Sequence, residues 1–362
     1  MDGIIDGLPA AYYTDAAIYQ AERRLIFANN WLYAAHVDEL REAGSFLACE
    51  IAGLPLLLIK QQDATISCFQ NICRHRGAPL VSAAEGVLPS GTITCKYHGW
   101  SYGCTGKLTA VPHLDCLSSC TQEQLSLIPV RTGVYRGLIF VNLATDDGNQ
   151  TAFEDSFAEL IKTIDESDCQ LEEYAFHSKM VRSGKFNWKV WVEGYQECYH
   201  CPTIHPVFNK DFQLPKYRVE NRERFSLHSC ERKVPSSSGR FNGLWLWIYP
   251  NLGMPVYEPC FYTLQVNPLS VNETTLTYTF HARRGADPSI LNDFRSFVDQ
   301  ITGEDIAICE AVQRNLASGL CEQTRLNEKR ENGVAYFHSL VRRQLGTAVS
   351  SPQTPLCASA NL

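Results

Sequence analysis

Cys73–Tyr102 reads CRHRGAPLVSAAEGVLPSGTITCKYHGWSY. It holds two short Cys/His pairs, Cys73-x-His75 and Cys95-x-x-His98, with residues 76–94 between them. Each pair closes one half of a metal site. Two thiolates and two imidazoles suit either a Zn²⁺ ion or a [2Fe–2S] cluster in which two His replace two Cys on one iron. A zinc finger of the Cys2His2 kind pairs Cys with Cys and His with His. Here each arm carries one of each, so each arm can hand a thiolate to one iron and an imidazole to the other. A glycine closes each arm, Gly77 and Gly99. Glycine permits tight loops and close approach of backbone N–H groups to cluster sulfurs.

Around this stretch runs a chain of 362 residues, longer than an average single domain, so two domains and a sizeable core are expected. The net charge of −7 argues against nucleic acid or an anionic membrane surface as the main partner. No apolar run reaches the roughly 20 residues of a membrane helix. The acidic start, MDGIIDGLPAAYYTD, lacks a basic segment followed by an apolar one, and no secretory signal is expected. The 15 cysteines are odd in number and form no scaffold pattern. They suggest a reducing, cytoplasmic compartment with most thiols as small buried apolar groups.

Short strands flank both Cys/His arms: 31–37, 44–49, 55–60, 66–70 and 92–95 before or between them, then 127–131, 133–135 and 138–142. A helix capped by Thr14 or Asp15 precedes them. The polar segment 144–150 reads as a boundary, and 116–120 as loop. Beyond lie a helix at 151–164, a strand at 174–185 and a helix at 186–199 that Pro202 should stop. Strands at 226–228, 243–249, 261–266 and 274–282 follow, the last two a hairpin across 267–273. The longest helix spans 289–316. The layout is α+β, with helices packed against antiparallel sheet, divided as 1–40, 41–145, 151–345 and a loose tail 346–362.

The second part holds its own candidate ligands. His200 and His205 in ECYHCPTIHP could serve a two-His, one-carboxylate iron, or could be ordinary core or surface histidines. Periodicity supplies a carboxylate. Phe294, Phe297, Val298, Ile301, Ile308, Val312 and Leu316 recur at helical spacing and should face the core. Asp305 falls on that stripe, whereas Glu304 and Glu310 do not. A buried acid costs several kcal/mol unless it is paired or metal-bound. Glu197 lies three residues before His200, on the same face if the helix continues. Cys198-x-x-Cys201 could mean a redox disulfide or part of a zinc site. No second such pair lies nearby, and neither role is expected. Trp245, Trp247 and Tyr249 alternate onto one strand face, which could hold a quaternary ammonium group or simply be core.

Cys-x-His-Arg-Gly followed by Cys-x-Tyr-His-Gly-Trp-x-Tyr resembles the Rieske domain of Rieske-type non-haem iron oxygenases. Respiratory Rieske proteins carry two further cysteines, whose places here are Ala78 and Tyr97. Asn-Trp-Lys, then Glu-x3-Glu-x2-His-x4-His-Pro, and the later Glu304-Asp305-x4-Glu310-Ala-Val-Gln313 resemble the mononuclear-iron motifs of the same family. The resemblance covers roughly residues 12–320. It implies a small antiparallel β Rieske domain, a helix-grip catalytic domain with an antiparallel sheet and long C-terminal helix, and a homotrimer. It implies one [2Fe–2S] cluster on Cys73, His75, Cys95 and His98, and one mononuclear Fe(II) on His200, His205 and Asp305. Glu197 would link His200 to His98 of a neighbouring subunit. Electrons would come from a separate flavin/iron–sulfur reductase, so NAD(P)H is used only indirectly, and O₂ would hydroxylate a small molecule. The wording ECYHC and HP is closer to oxygenases of choline, glycine betaine or carnitine than to ring dioxygenases. An aromatic substrate, or an electron carrier without chemistry of its own, are the rival readings.

Overall fold

Strand Ile66–Gln70 delivers the chain to Cys73, and strand Thr92–Thr94 delivers it to Cys95. The structure, a computed structural model, describes residues 3–113, 120–144, 151–167, 169–206, 212–233 and 243–346. The first arm belongs to a seven-stranded antiparallel sheet. Its order is Leu32–His36, Leu138–Asn142, Pro129–Tyr135, Ile66–Gln70, Leu54–Lys60, Ser45–Ile51, Glu85–Val87. The second arm is the turn between Thr92–Thr94 and Ser101–Gly103 in a three-stranded sheet completed by Leu108–Ala110. Strand Leu54–Lys60 is apolar on both faces, and both are used. Leu57 and Ile59 pack with Cys73, Cys95 and Tyr102, while Leu56 and Leu58 face the larger core. Each such side chain contributes about 1.5–3 kcal/mol.

The second part is a seven-stranded antiparallel sheet, ordered Tyr174–Gly184, Glu273–Arg283, Cys260–Ser270, Leu252–Val256, Leu244–Ile248, Phe225–Ser229, Arg218–Asn221. The helix Pro288–Ala317, 30 residues long, starts with proline in its first turn, where no N–H is needed. Asp287 caps it, accepting from Ser289 N. Helix Trp188–Tyr195 begins at the Asn187 cap, and Asn187 N donates to Gln313 Oε1 of the long helix at 2.9 Å.

The N-terminal segment is shared between the two parts rather than standing alone. Strand Ile4–Pro9 pairs with Gln323–Asn327, and Leu32–His36 joins the first sheet. Helix Ala16–Glu22, capped by Asp15, ends in Glu22, whose carboxylate meets Lys189 Nζ at 2.5 Å and Trp188 Nε1 at 2.8 Å. Both members of this ion pair are fully buried.

Several elements differ from their expected bounds. The helix expected at 151–164 is two, Phe153–Ser156 and Ala158–Asp165. The hairpin strands run further, to a turn of only Val271 and Asn272. Helix Trp188–Tyr195 stops well before Pro202, which instead sits in the first turn of a new short helix, Cys201–Ile204. On the long helix the buried line runs through Val298, Thr302, Cys309, Gln313 and Leu316. Ile308 and Val312 are 42% and 36% exposed. The face is rotated from the purely hydrophobic stripe because polar Thr302 and Gln313 are buried with partners, at Tyr278 and Tyr13. Residues 145–150 of the expected boundary 144–150, most of the loop 116–120 and the tail from 347 lie outside the described residues. Among the described residues no helix is long and apolar enough to cross a membrane.

Candidate functional site

The two Cys/His arms are closed by the same pair of backbone bonds. Cys73 N donates to Ala78 O at 2.8 Å and Gly77 N to Cys73 O at 3.0 Å; Cys95 N donates to Trp100 O at 2.8 Å and Gly99 N to Cys95 O at 3.0 Å. Both closures place a glycine at positive φ, +76° at Gly77 and +75° at Gly99, which other residues adopt only with strain. The sulfurs of Cys73 and Cys95 are buried, whereas His75 and His98 lie at the surface with ring centroids 4.6 Å apart. His75 stacks on Trp100 at 4.9 Å, and His98 leans on Tyr97 at 3.8 Å. All four ligand candidates line one small pocket.

Tyr102 adds a hydrogen bond that the motif alone did not reveal. Its oxygen accepts Arg74 N–H at 3.1 Å and lies 3.3 Å from Cys73 Sγ, so its own proton is free for the sulfur. Burial raises the Cys95 thiol pKa, and the neighbouring Cys73 adds to it. Two adjacent buried thiolates therefore need a cationic partner, and a [2Fe–2S] cluster fits these residues.

His200 stands immediately before the short helix Cys201–Ile204, and His205 ends it. That single turn brings the rings together, Nε2 to Nε2 at 3.2 Å. Asp305, from the middle of the long helix, places Oδ1 2.9 Å from His205 Nε2 and 3.6 Å from His200 Nε2. The other ring nitrogens are held by carboxylates: His200 Nδ1 by Glu197, and His205 Nδ1 by Glu304 Oε2 at 2.8 Å. Protons at Nδ1 leave lone pairs at both Nε2 atoms. Two lone pairs and a carboxylate oxygen converging on one point form a cation site, and a two-His, one-carboxylate Fe(II) fits it. The electrostatics favour positive charge at this point: burial opposes charge on His200, but Asp305 and Glu197 outweigh it and push its pKa up to about 10, so without an ion the ring takes a proton where the cation would bind.

Glu197 reaches His200 from a turn, not from a helical face, because the helix has already ended at Tyr195. Its second oxygen accepts the backbone N–H groups of Tyr199 and His200. Glu304 lies off the buried line of the long helix, as its spacing predicts, yet it belongs to the site. His205 approaches the long helix from its flank, so consecutive residues meet opposite sides of one ring. Cys198 and Cys201 are joined in a disulfide, against expectation; their Cα atoms are 5.1 Å apart, within bridging reach.

A cavity of about 150 Å³ opens beside this triad. Tyr217, Trp245, Tyr257, Tyr262, Phe294 and Phe297 give it an aromatic lining, and the Cys198–Cys201 bridge lines it as well. Phe294, Phe297, Val298 and Ile301, expected as plain core, face this space. Of the three aromatic strand residues only Trp245 does so. Trp247 packs on Tyr195 with centroids 5.4 Å apart, and Tyr249 donates to Gln344 Oε1 at 3.1 Å in the core behind. The alternation holds, but the strand leads away from the cavity after Trp245. His228, also in the wall, is fixed by Tyr217 Oη at 2.5 Å and Gln196 Oε1 at 3.1 Å. Burial drops its pKa to about 3, so this ring is neutral.

Two family models match the chain: a Rieske [2Fe-2S] domain over residues 30–122, and a ring hydroxylating alpha subunit (catalytic domain) over residues 171–347. The oxygenase subunit of carnitine monooxygenase from Escherichia coli (strain K12) is 28% identical over 354 residues, 92% of either chain. The chloroplastic choline monooxygenase of Spinacia oleracea is 23% identical, covering 93% of this chain and 78% of its own. The crystal structure of the quaternary ammonium Rieske monooxygenase CntA with L-carnitine superposes with a TM-score of 0.83 at 26% identity, covering 94% of this chain and 96% of that one. A naphthalene 1,2-dioxygenase from Rhodococcus sp. shares the fold, with a TM-score of 0.77 at 18% identity and 95% of each chain covered.

Proposed function

Since the chain belongs to the Rieske non-haem iron oxygenases, we propose that it hydroxylates a C–H bond of a quaternary ammonium compound. Electrons come from a separate flavin/iron–sulfur reductase that oxidises NAD(P)H. The observation that carries the substrate class is the aromatic wall beside His200, His205 and Asp305. Trp245 and Tyr257 have ring centroids 5.9 Å apart, Tyr257 and Phe294 5.3 Å, and Tyr262 and Phe294 6.0 Å. A quaternary ammonium group has no N–H to donate. Ring faces and nearby carboxylates are what can hold it, each ring contributing about 0.5–2 kcal/mol. A neutral His228 adds no competing positive charge. The names of the relatives point the same way.

When bound, the cluster and the mononuclear iron supply single-electron transfer and O₂ activation. Cys73 and Cys95 would hold one cluster iron, His75 and His98 the other. His200, His205 and Asp305 would hold the mononuclear iron in the wall of the cavity. Glu197 and Glu304 keep both imidazoles in the tautomer that presents Nε2. The aromatic wall excludes water and aims the substrate carbon at the triad. In net terms an N-methyl group, O₂, two electrons and two protons give a hemiaminal and water. From a quaternary ammonium the hydroxymethyl group leaves as formaldehyde, giving a tertiary amine and a proton. Attack at an alcohol carbon gives an aldehyde hydrate instead.

We read the working assembly as a homotrimer in which His98 of one chain meets Glu197 of the next. His75 and His98 are exposed in the single chain, and Tyr199 beside Glu197 is 56% exposed. Among the described residues none lines both the cluster cavity and the substrate cavity. We place the protein in the cytoplasm, since the described cysteines include one disulfide against 11 free thiols. The test supplies the holoenzyme with a generic reductase, NAD(P)H and a panel of quaternary amines and small aromatics. Expected is O₂-dependent release of formaldehyde or an aldehyde from a quaternary amine. Products from aromatics alone would overturn the substrate class.

A further inference from the structure

His36 ends strand Leu32–His36 of the cluster-side sheet, and His281 lies in strand Glu273–Arg283 of the catalytic sheet. Their rings meet across the seam between the two sheets, centroids 4.3 Å apart. Asp38 stands beside them, its Oδ2 3.6 Å from His36 Nδ1. One potential ligand atom from each of the three residues lies within 4.8 Å of the others. None of the three lines the cluster cavity or the substrate cavity.

His281 is the informative member. It is 1% exposed, and neither of its ring nitrogens has a hydrogen-bond partner. It stacks on Phe261 at 4.5 Å with the planes 6° apart. A histidine kept only for stacking leaves a donor and an acceptor unmet, at about 1–3 kcal/mol each. Phenylalanine would stack there without that cost. His228, buried as deeply, has both nitrogens bonded, to Tyr217 and Gln196.

We propose that His36, Asp38 and His281 form a further metal site, for a divalent transition ion of the Zn²⁺ type, that pins the two sheets together. Two imidazoles and a carboxylate are a zinc donor set, and ligand distances of about 2.0–2.2 Å require only a small closing of the three side chains. Water completes the coordination from the Asp38 side, where the side chain is 38% exposed against 8% for His36. Two existing bonds compete. Asp38 Oδ2 accepts Phe176 N–H at 2.9 Å, but the carboxylate has lone pairs to spare. His36 Nδ1 accepts Asp38 N–H at 3.2 Å, a long bond that an ion at that nitrogen replaces. The ion would reinforce a seam that the Lys179–Glu39 pair already crosses.

The probe is Zn²⁺ itself. Holoenzyme with its cluster and mononuclear iron is incubated with excess Zn²⁺, desalted, and its metals are counted by plasma mass spectrometry. His281→Phe and Asp38→Asn are treated alongside. Wild type is expected to retain a Zn²⁺ ion that His281→Phe lacks, with equal iron in both, and Zn²⁺ is expected to raise the melting temperature of wild type only. Asp38→Asn keeps an oxygen for Phe176 N–H and is expected to bind Zn²⁺ at least about tenfold more weakly. It carries the test if His281→Phe does not fold. Equal zinc in wild type and variants overturns the proposal. So does a higher melting temperature in His281→Phe without any zinc difference, which would mark the ring as stacking alone.

Discussion

Glu304 accepts a hydrogen bond from Nδ1 of His205 at 2.8 Å, one residue before the carboxylate that faces the other nitrogen of the same ring. Removing this partner frees the ring to rotate and lowers its basicity. Glu304→Ala is expected to weaken Fe(II) binding at the mononuclear site by about 10–100-fold, with the visible spectrum of the cluster unchanged. Glu304→Gln, which keeps an acceptor, should recover most of the loss. Iron titration of the metal-stripped site, followed by metal analysis, decides it; an unchanged affinity in the alanine variant would remove Glu304 from the site.

The two metal sites lie in different parts of the chain and should fail independently. His200→Ala is expected to lose roughly one third of the iron and all turnover while retaining the cluster absorption. Cys95→Ala should lose that absorption. A His200→Ala protein without cluster absorption would contradict the separation of the two parts.

How far these sites could be read in the sequence depended on how local their chemistry is. The Cys73–Gly77 and Cys95–Gly99 arms are self-contained loops, so spacing and glycine placement were enough. Asp305 was legible because an acid on an apolar helical stripe is costly. Glu304 was not, because its partner His205 arrives from another element, and helical periodicity says nothing about flanks. The turn that carries Glu197 was missed since Pro202 reads as a helix stop, although in the structure it helps to start the next helix. Trp247 and Tyr249 share a strand face with Trp245 but not its cavity, as alternation gives a face and not a position along it. The His36–His281 contact joins residues from two different sheets and left no local signal.

Tyr102 is the one hydroxyl within hydrogen-bond reach of a ligand sulfur among the described residues, and because its oxygen already accepts Arg74 N–H, its own proton is free to donate to Cys73. Such a bond favours the reduced cluster, which carries more negative charge. A bond worth about 1–1.5 kcal/mol corresponds to roughly 60 mV for one electron. Tyr102→Phe is therefore expected to lower the cluster potential by that amount while leaving the metal content intact. Redox titration followed by visible absorption measures it, and an equal or higher potential would exclude the bond.

Lys189 and Glu22 are an ion pair at zero exposure, tying the N-terminal helix to the helix that precedes His200. Burial pulls the Lys189 pKa down, and Glu22 and Asn187 supply the contacts that keep the ammonium in place. Lys189→Met leaves Glu22 charged and unpaired and should cost about 3–5 kcal/mol. Adding Glu22→Leu removes the orphaned charge and should restore much of the stability. Denaturant unfolding of the three proteins tests this. A double variant no more stable than Lys189→Met would mean that the loss comes from packing.

His228 sets a pH dependence whose sign follows from its burial. Its pKa is about 3 in the folded protein, below the ordinary histidine value near 6.5, because burial excludes the charged form. Above the ordinary value both states hold a neutral ring, and the group adds no pH dependence. As pH falls below it, the unfolded chain takes up a proton that the folded one refuses. Stability then drops by up to about 1.4 kcal/mol per pH unit until the folded pKa is reached. His228→Gln, which can still bond Tyr217 and Gln196, should flatten the acid limb by about one proton while changing neutral-pH stability less. Urea unfolding at pH 6.5 and pH 5 gives the comparison. Parallel losses in both proteins would mean that His228 is protonated in the fold, and a cation in the cavity wall would then count against a quaternary ammonium substrate.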